Sequence, residues 1–278
     1  MTETTTVRLL RAAFRAWPFM HGRGWILRLA RLLLGHDPVF FDIGEKRFIE
    51  GDLDDWMLVW AFMCRHEKDA PFQQSLKLVP HGGVAFDVGA HVGIWSLLAS
   101  RRSRVHAFEP LQADRLRAHA LLDHADVVVN ECAAGAENGT ASFFAVYGNS
   151  GASALARRAE TDVEVRTNVI TLDSYAAEKK IDRVDLLKID VEGAELLVLK
   201  GAHELLRLEP AIFFEADDQL ARSFGGTTRD VKQLLAGHGY GIYRWQRSRF
   251  VPVAVDEPHG HEDLFALKAR HVAQMTKP

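Results

Sequence analysis

The chain has 278 residues, of which 47% are hydrophobic and 26% are charged, and its formal net charge at pH 7 is -3. These values are typical of a globular protein; they argue against a disordered chain, and the small negative charge provides no general attraction to nucleic acid. Cys64 and Cys132 are too few for a disulfide framework or a structural zinc site, so we expect a reduced, cytoplasmic environment.

The N-terminal segment combines basic and apolar residues. Pro18 and the turn at residues 22–24 divide it into two predicted amphipathic helices. Such helices fit a contact with a membrane surface, although we favour a helical extension that covers the protein or a partner subunit. The apolar run at residues 25–34 is too short to span a bilayer. Between residues 7 and 34 there is no acidic residue, and the arginines are Arg8, Arg11, Arg15, Arg23, Arg28 and Arg31.

A predicted β-hairpin follows at residues 38–50, where two alternating runs flank Gly44. Residues 54–65 and 70–79 are predicted to form helices that lead into the first strand of the main domain. We therefore expect residues 1–80 to be a helical and hairpin extension that caps an acceptor site or mediates a dimer contact. Residues 81–278 are expected to form the main domain.

The most informative segment is residues 84–98 (VAFDVGAHVGIWSLL), which predicts a buried strand, a glycine turn and a helix. Residues 105–110 (VHAFEP) predict a second short strand that ends in Glu109. The N-terminus of a helix offers free N–H groups, and a carboxylate at the end of the next parallel strand can bind ribose hydroxyls. The two segments together predict a nucleoside-binding crevice.

The details of the glycine turn indicate which nucleoside binds. A dinucleotide fingerprint requires Gly-x-Gly-x-x-Gly, whereas this turn has Asp87, Gly89 and Gly93 and lacks the second glycine. Asp87 would repel a pyrophosphate but can face the amino group of an amino acid. The turn therefore favours S-adenosylmethionine, which has no phosphate, over a nicotinamide or flavin cofactor.

Beyond residue 110, predicted helices and strands alternate in the way that builds a parallel sheet. Two final strands, at residues 241–245 and 263–268, are joined without a helix and must be antiparallel or nearly so. The other predicted strands are residues 127–134, 141–145, 164–169, 184–190 and 211–215. The other predicted helices are residues 112–122, a short one opening at 171–175, 191–206 and 228–238.

Four segments of the chain resemble the FkbM family of methyltransferases: residues 86–93 (FDVGAHVG), 106–110 (HAFEP), 170–174 (ITLDS) and 187–195 (LKIDVEGAE). The resemblance covers roughly residues 60–268. It implies an α/β fold, the Rossmann-like class I methyltransferase sandwich, with a seven-stranded, mostly parallel sheet and a C-terminal antiparallel hairpin. It also implies S-adenosylmethionine-dependent methylation of hydroxyl oxygens of sugars, polyketides and other small molecules. The family usually has Asn where this chain has His91.

The turn chemistry and the resemblance together suggest the residues that bind the cofactor. The turn backbone is expected to pass close to the methionine part, with Asp87 beneath it, and Glu109 to bind the ribose. Cys132 and Ala133 are expected at the adenine ring, and Glu67 at the amino group. The complete predicted set is Glu67, Asp87, Gly89, Ala90, His91, Gly93, Glu109, Cys132, Ala133 and Asp190.

For catalysis, the acceptor hydroxyl must be positioned and must lose its proton. We expect Asp190 to act together with Lys188, whose ammonium group polarises the acceptor oxygen, and Glu192 to assist. His91 is an alternative base because it lies in the cofactor turn. A further alternative is Mg²⁺, for which the candidate ligands at the strand ends are Asp190, Glu215, Asp217 and Asp218.

The leading hypothesis is an O-methyltransferase whose partner is a small-molecule hydroxyl acceptor, with a sugar or glycoconjugate favoured. The alternatives are methylation of a polyketide-type natural product, and a non-catalytic S-adenosylmethionine-binding protein docked to a membrane through its basic N-terminus. Lys188, Asp190 and Glu192 favour the enzyme, because a binding module does not need them. A homodimer is expected from the apolar N-terminal extension, and nucleic acid is not an expected partner.

Overall fold

In the computed structural model of the chain, residues 3–16, 23–35, 38–63, 69–145 and 163–275 are described. The predicted N-terminal helices and β-hairpin are confirmed. Asp69 caps the last of these helices, because its carboxylate accepts the N–H of Phe72. The elements of this part are α1 (Thr5–Ala16), α2 (Arg23–Leu34), β1 (Val39–Gly44), β2 (Arg47–Gly51), α3 (Trp56–Met63) and α4 (Ala70–Leu78).

The remaining elements alternate as expected from the sequence. The strands are β3 (Gly83–Val88), β4 (Ser103–Phe108), β5 (Val127–Asn130), β6 (Ala133–Ala134), β7 (Gly139–Ala145), β8 (Val163–Ile170), β9 (Leu186–Ile189), β10 (Ala211–Ala216), β11 (Gly241–Gln246), β12 (Arg249–Pro252) and β13 (Glu262–Leu267). The helices are α5 (Ile94–Ala99), α6 (Ala113–Leu122), α7 (Leu172–Lys179), α8 (Glu195–Lys200), α9 (His203–Leu206), α10 (Asp218–Arg222), α11 (Thr228–Gly237) and α12 (Ala269–Met275).

The main sheet has the strand order β12-β11-β13-β10-β9-β3-β4-β5. The strands from β10 to β5 are parallel, whereas β13 lies antiparallel between β10 and β11. This arrangement confirms the mostly parallel α/β sandwich and its antiparallel C-terminal hairpin. The prediction of seven strands is wrong by one: Arg247 and Ser248, both with positive φ, form a tight turn that adds β12 at the edge.

Two sequence-based assignments are corrected. The predicted strand at residues 127–134 is divided between two sheets, because β5 pairs with β4 while β6 pairs with β8 in a separate sheet of order β6-β8-β7. The predicted helix at residues 191–206 is two short helices preceded by a turn. That turn contains Glu192 and Gly193, whose positive φ values of 56° and 106° cannot belong to a right-handed helix.

The N-terminal extension shares a hydrophobic core with the main domain. Phe41 and Ile49 of the hairpin are in one buried cluster with Leu97 of α5. A hydrogen bond of 3.0 Å from the N–H of Glu50 to Nε2 of His119 joins the hairpin to α6. The extension is therefore packed onto the helices that flank β3 and β4, while its predicted role as a cap or dimer contact stays a prediction. Among the helices described, none has the length and apolarity needed to cross a bilayer.

Candidate functional site

A cleft with about 600 Å³ of empty space, part of it open to solvent, lies at the carboxyl ends of β3, β4 and β9. This is the edge where open α/β sheets bind their ligands. Phe143 of β7 also lines the cleft, although the sequence did not predict it as a site residue. The lining residues that the sequence analysis did single out are Gly89, His91, Glu109, Ala133, Asp190 and Glu192.

The turn after β3 uses its own amides to bind the neighbouring strand. The N–H groups of Gly89 and Ala90 donate to the carbonyl of Phe108 at 3.0 and 3.2 Å, and the N–H of His91 donates to Oε2 of Glu109 at 2.8 Å. These three amides, which precede the N-terminus of α5, are therefore bonded within the fold. A turn whose amides are already bonded does not form a cradle for a phosphate.

The two glycines of the turn are required by internal packing. A Cβ on Gly89 would lie 1.8 Å from the carbonyl oxygen of Asp190, and one on Gly93 would lie 2.0 Å from Cδ1 of Leu116. Both residues have positive φ, as does His91 at 51°. The expected role of the glycines in a close approach to the cofactor remains a prediction for Gly89, which lines the cleft, whereas Gly93 faces α6.

Glu109 is held in the cleft by backbone donors. Besides His91, the N–H groups of Leu111 and Gln112 donate to its Oε1 at 2.8 and 3.0 Å. Each carboxylate oxygen offers two lone pairs, so Oε2, to which one donor among the described residues is bonded, can accept a further hydrogen bond. The carboxylate is thus preoriented in the cleft with room for one more donor, such as a ribose hydroxyl.

Asp87 lies beneath the turn and not in the cleft. Its side chain is completely buried, with Oδ1 2.9 Å from Nζ of Lys188 and Oδ2 accepting the hydroxyl of Ser96 at 2.7 Å. In this geometry the carboxylate supports the turn, and it does not face the cleft as a direct contact to a ligand would require.

Lys188 connects three parts of the site. Its Nζ donates to the carbonyl of Gly89 at 3.2 Å and lies 3.3 Å from Oδ2 of Asp190. Burial acts to lower the pKa of Lys188, but the charges of Asp87 and Asp190 outweigh it and raise that pKa above its ordinary value. Lys188 is therefore a buried permanent cation below the cleft, and it is not placed to touch an acceptor oxygen. Asp190 is half exposed and faces the cleft.

The imidazole of His91 lies among carboxylates from three elements. Burial lowers the pKa of His91, and Glu109, Asp55 and Asp190 partly oppose that effect. Asp55 belongs to the N-terminal extension, so the extension reaches the cofactor turn. A neutral imidazole in the cleft has a basic nitrogen, and the role of His91 as an alternative base stays a prediction.

Of the two residues predicted to contact the adenine ring, Ala133 lines the cleft, whereas Cys132 is packed in the main hydrophobic core. Burial raises the pKa of Cys132 to about 11, so its thiol is uncharged at neutral pH. Glu67 lies outside the described residues.

Two acidic residues, Glu215 and Asp263, lie next to the cleft, and only Glu215 was predicted from the sequence as a candidate ligand. Oε1 of Glu215 lies 2.7 Å from Nδ1 of His261, and Asp263 is directly opposite Glu215 in the β10–β13 pairing. Burial raises the pKa of both Glu215 and Asp263, and the hydrogen bond to Glu215 raises the pKa of His261. His261 and Asp263 were not predicted as site residues, because their proximity to Glu215 depends on β13 being inserted beside β10.

The structure does not support the magnesium hypothesis. Oδ1 of Asp217 accepts the N–H groups of Gln219 and Leu220 at the start of α10, and Glu215 is paired with His261. One oxygen of each of these two carboxylates is used in this way, and both oxygens of Asp218 accept hydrogen bonds, Oδ1 from Thr228 and Oδ2 from the N–H of His259. Within the described ranges, no group of three or more His, Cys, Asp or Glu residues is arranged to hold a metal ion.

Comparisons with known proteins agree with this geometry. Residues 87–242 match the profile described as a methyltransferase FkbM domain. The chain is 29% identical over 214 residues to 31-O-demethyl-FK506 methyltransferase FkbM of Streptomyces tacrolimicus, covering 63% of this chain and 79% of that protein. It is 27% identical over 185 residues to hexuronic acid methyltransferase AglP of Haloferax volcanii, covering 64% of this chain and 72% of that protein.

Two solved methyltransferase structures are similar to this chain only at a low level of structure and sequence. Magnesium protoporphyrin IX methyltransferase of Synechocystis PCC 6803 has a TM-score of 0.41 and 11% identity, covering 97% of this chain and 100% of that chain. The tRNA (uracil-54, C5)-methyltransferase of Pyrococcus abyssi has a TM-score of 0.44 and 14% identity, covering 84% of this chain and 44% of that chain. Overlaps at this level add nothing to the functional argument.

Proposed function

This chain belongs to the FkbM methyltransferase family, and on that basis we propose that it transfers a methyl group from S-adenosylmethionine to a hydroxyl oxygen of a small molecule. The acceptor that we favour is a sugar or glycoconjugate. The observation that carries the proposal is that one cleft joins Glu109, preoriented at the end of β4, to Asp190 at the end of β9. In the proposed reaction Glu109 binds the ribose and Asp190 accepts the proton of the acceptor hydroxyl.

The residues of the cleft fit S-adenosylmethionine better than a dinucleotide. The bonded amides of Gly89, Ala90 and His91 suit a cofactor without a pyrophosphate. Glu109 would hold a ribose hydroxyl through its Oε2, and Ala133 would form part of an apolar wall for the adenine ring. When bound, the cofactor supplies an electrophilic methyl group on a positively charged sulfur.

The chain's own residues would prepare the acceptor. Asp190 is the exposed carboxylate of the cleft and would take the proton from the acceptor hydroxyl, a contribution of typically ~100- to 10,000-fold in rate. Lys188 acts through Asp190 and is a positioning residue, because its ammonium group holds that carboxylate and the turn at Gly89 together. This assignment replaces the sequence-based expectation that Lys188 polarises the acceptor oxygen.

Two relatives support the class of acceptor. The name 31-O-demethyl-FK506 methyltransferase describes transfer to an oxygen, and the name hexuronic acid methyltransferase describes a sugar acid as acceptor. Transfer to a hydroxyl oxygen, as in the proposed reaction, requires removal of its proton, for which a carboxylate such as Asp190 is a suitable base. A polyketide-type acceptor would use the same base and the same cofactor site.

Two measurements test the proposal. Calorimetry should show binding of S-adenosylhomocysteine and none of NADH, and a Glu109→Gln variant should bind S-adenosylhomocysteine more weakly. Glu131→Gln, which changes a solvent-exposed carboxylate near the end of β5, is the control and should bind like the wild type. Labelled S-adenosylmethionine should then transfer its label to a member of a panel of methyl-poor glycans. Uptake of NADH without S-adenosylhomocysteine would refute the proposal.

A further inference from the structure

The helix α2 exposes a row of leucines. Leu29, Leu32 and Leu33 are 47%, 80% and 56% exposed, and their spacing of three and four residues places them on one face of the helix. On the neighbouring helix α1, Leu9 is 65% exposed. Large apolar side chains on consecutive helical turns are unusual on a free surface and mark a contact with another apolar phase.

The opposite side of the same helices faces the protein and is mostly apolar, because Val7, Leu10 and Ala30 lie in the buried cluster that contains Phe41 and Ile49. Arg11 is buried, and its Nε donates to the carbonyl of Phe62 at 3.0 Å. Arg31 donates to the carbonyl of Leu53 at 2.7 Å from Nη2. These arginines attach the helix pair to the rest of the extension through directed hydrogen bonds. The attachment therefore leaves the leucines of α2 available for an external partner.

The charge of the N-terminal helices α1 and α2 indicates which kind of partner binds to their exposed leucines. Residues 1–34 contain six arginines and a single acid, Glu3, which is paired with Arg11 and lies 4.0 Å from Arg8, so the segment keeps a net positive charge. The exposed Arg8 and Arg28 lie next to Leu9 and Leu29. A second copy of the chain would bring two basic segments together in a symmetric interface, which like charges oppose. An anionic lipid surface offers both phases at once, an apolar layer for the leucines and negative headgroups for the arginines.

We propose that the outer face of α2, with α1 beside it, docks the protein on an anionic lipid surface, with Leu29, Leu32 and Leu33 inserted at the headgroup boundary. This arrangement requires no membrane-spanning helix. Binding depends on burial of leucine and on attraction of arginine, so it weakens when either is removed. High salt screens the attraction and lowers the affinity.

Co-sedimentation of the full-length protein with vesicles tests this inference without a cofactor or an acceptor, so its result is independent of the proposed reaction. We expect binding to vesicles of phosphatidylcholine with phosphatidylglycerol, and little to phosphatidylcholine alone. The double variant Leu32→Ser/Leu33→Ser should bind at least about tenfold more weakly. The matched control is the double variant Leu121→Ser/Leu122→Ser, because these two leucines are also adjacent and exposed, at 76% and 43%, on helix α6.

Both variants change exposed side chains, so far-UV circular dichroism and the unfolding midpoint should match the wild type. Vesicle binding that Leu32→Ser/Leu33→Ser retains would overturn the assignment to this face. Absence of binding to anionic vesicles would overturn the inference, and so would a dimer in solution that only Leu32→Ser/Leu33→Ser dissociates. That last result would make a second copy the partner, as the sequence analysis expected.

Discussion

The Nζ of Lys188 lies 2.9 Å from Oδ1 of Asp87, and 7% and 0% of the two side chains are exposed. The same ammonium group lies close to Asp190 and to the carbonyl of Gly89. One buried cation therefore joins the end of β3, the turn that follows it and the end of β9. The proposed cofactor turn and the proposed base are held as a single unit.

Replacing Lys188 with Met would leave the carboxylate of Asp87 buried without its cation. We expect the free energy of unfolding, measured by denaturant titration, to fall by about 3–5 kcal/mol, because an unpaired charge remains in the core. The double variant Lys188→Met/Asp87→Asn removes that charge and should recover most of the loss. An equally unstable double variant would show that the ion pair is not the cause.

Replacing Asp190 with Asn removes the proposed base while preserving the size of the side chain. Turnover should fall about 100- to 10,000-fold, while binding of S-adenosylhomocysteine measured by calorimetry should be retained. The control is Asp217→Asn, since Asn also caps helices well and α10 should remain intact. Full turnover by Asp190→Asn would move the role of base to another group, with His91 as the next candidate.

The glycines of the turn should differ in their sensitivity to alanine. Gly89→Ala places Cβ against the carbonyl oxygen of Asp190, which cannot move without shifting β9, whereas Gly93→Ala meets the end of the Leu116 side chain. Gly82→Ala, at a similar positive φ with open space around it, isolates the backbone strain of about 1–2 kcal/mol. The loss of unfolding free energy should be largest for Gly89→Ala and smallest for Gly82→Ala. The reverse order would contradict the packing described.

Glu195 should make stability depend on pH. Burial raises its pKa to about 7, despite the hydrogen bonds from the N–H groups of Val191 and Gly193, while the unfolded value is 4.5. The folded state binds this proton more tightly, so the contribution of Glu195 to stability is complete below pH 4.5 and is lost as the pH rises through 7.

Glu195→Gln keeps the acceptor oxygen and removes the titration. Denaturant titrations of wild type and variant between pH 4 and pH 8 should therefore diverge, with the wild type losing on the order of 2–4 kcal/mol relative to the variant. Parallel curves for the two proteins would show that the pKa of Glu195 is the same in the folded and the unfolded state.

Local patterns were sufficient for much of the fold. The apolar run before Gly89 and the hairpin around Gly44 predicted β3, β1 and β2, because period and turn chemistry depend on neighbours in the sequence. The position of Glu109 at the end of β4 also followed from the local pattern. The predictions failed at residues 127–134, where strand character was recognised but the partner strand was not. Pairing with β4 or β8 is decided by elements far away in the chain.

The sequence by itself determined the succession of strands and helices and the acidic residues at the strand ends. Only the tertiary structure decided that Lys188 lies under the turn, since its contact with Gly89 joins residues 99 positions apart. It also decided that the turn amides are occupied by Phe108 and Glu109, and that the leucines of α2 face outward while Arg11 faces inward. The physical reason is that hydrogen-bond satisfaction and burial depend on which surfaces meet, whereas periodicity and turn propensity depend only on residues nearby.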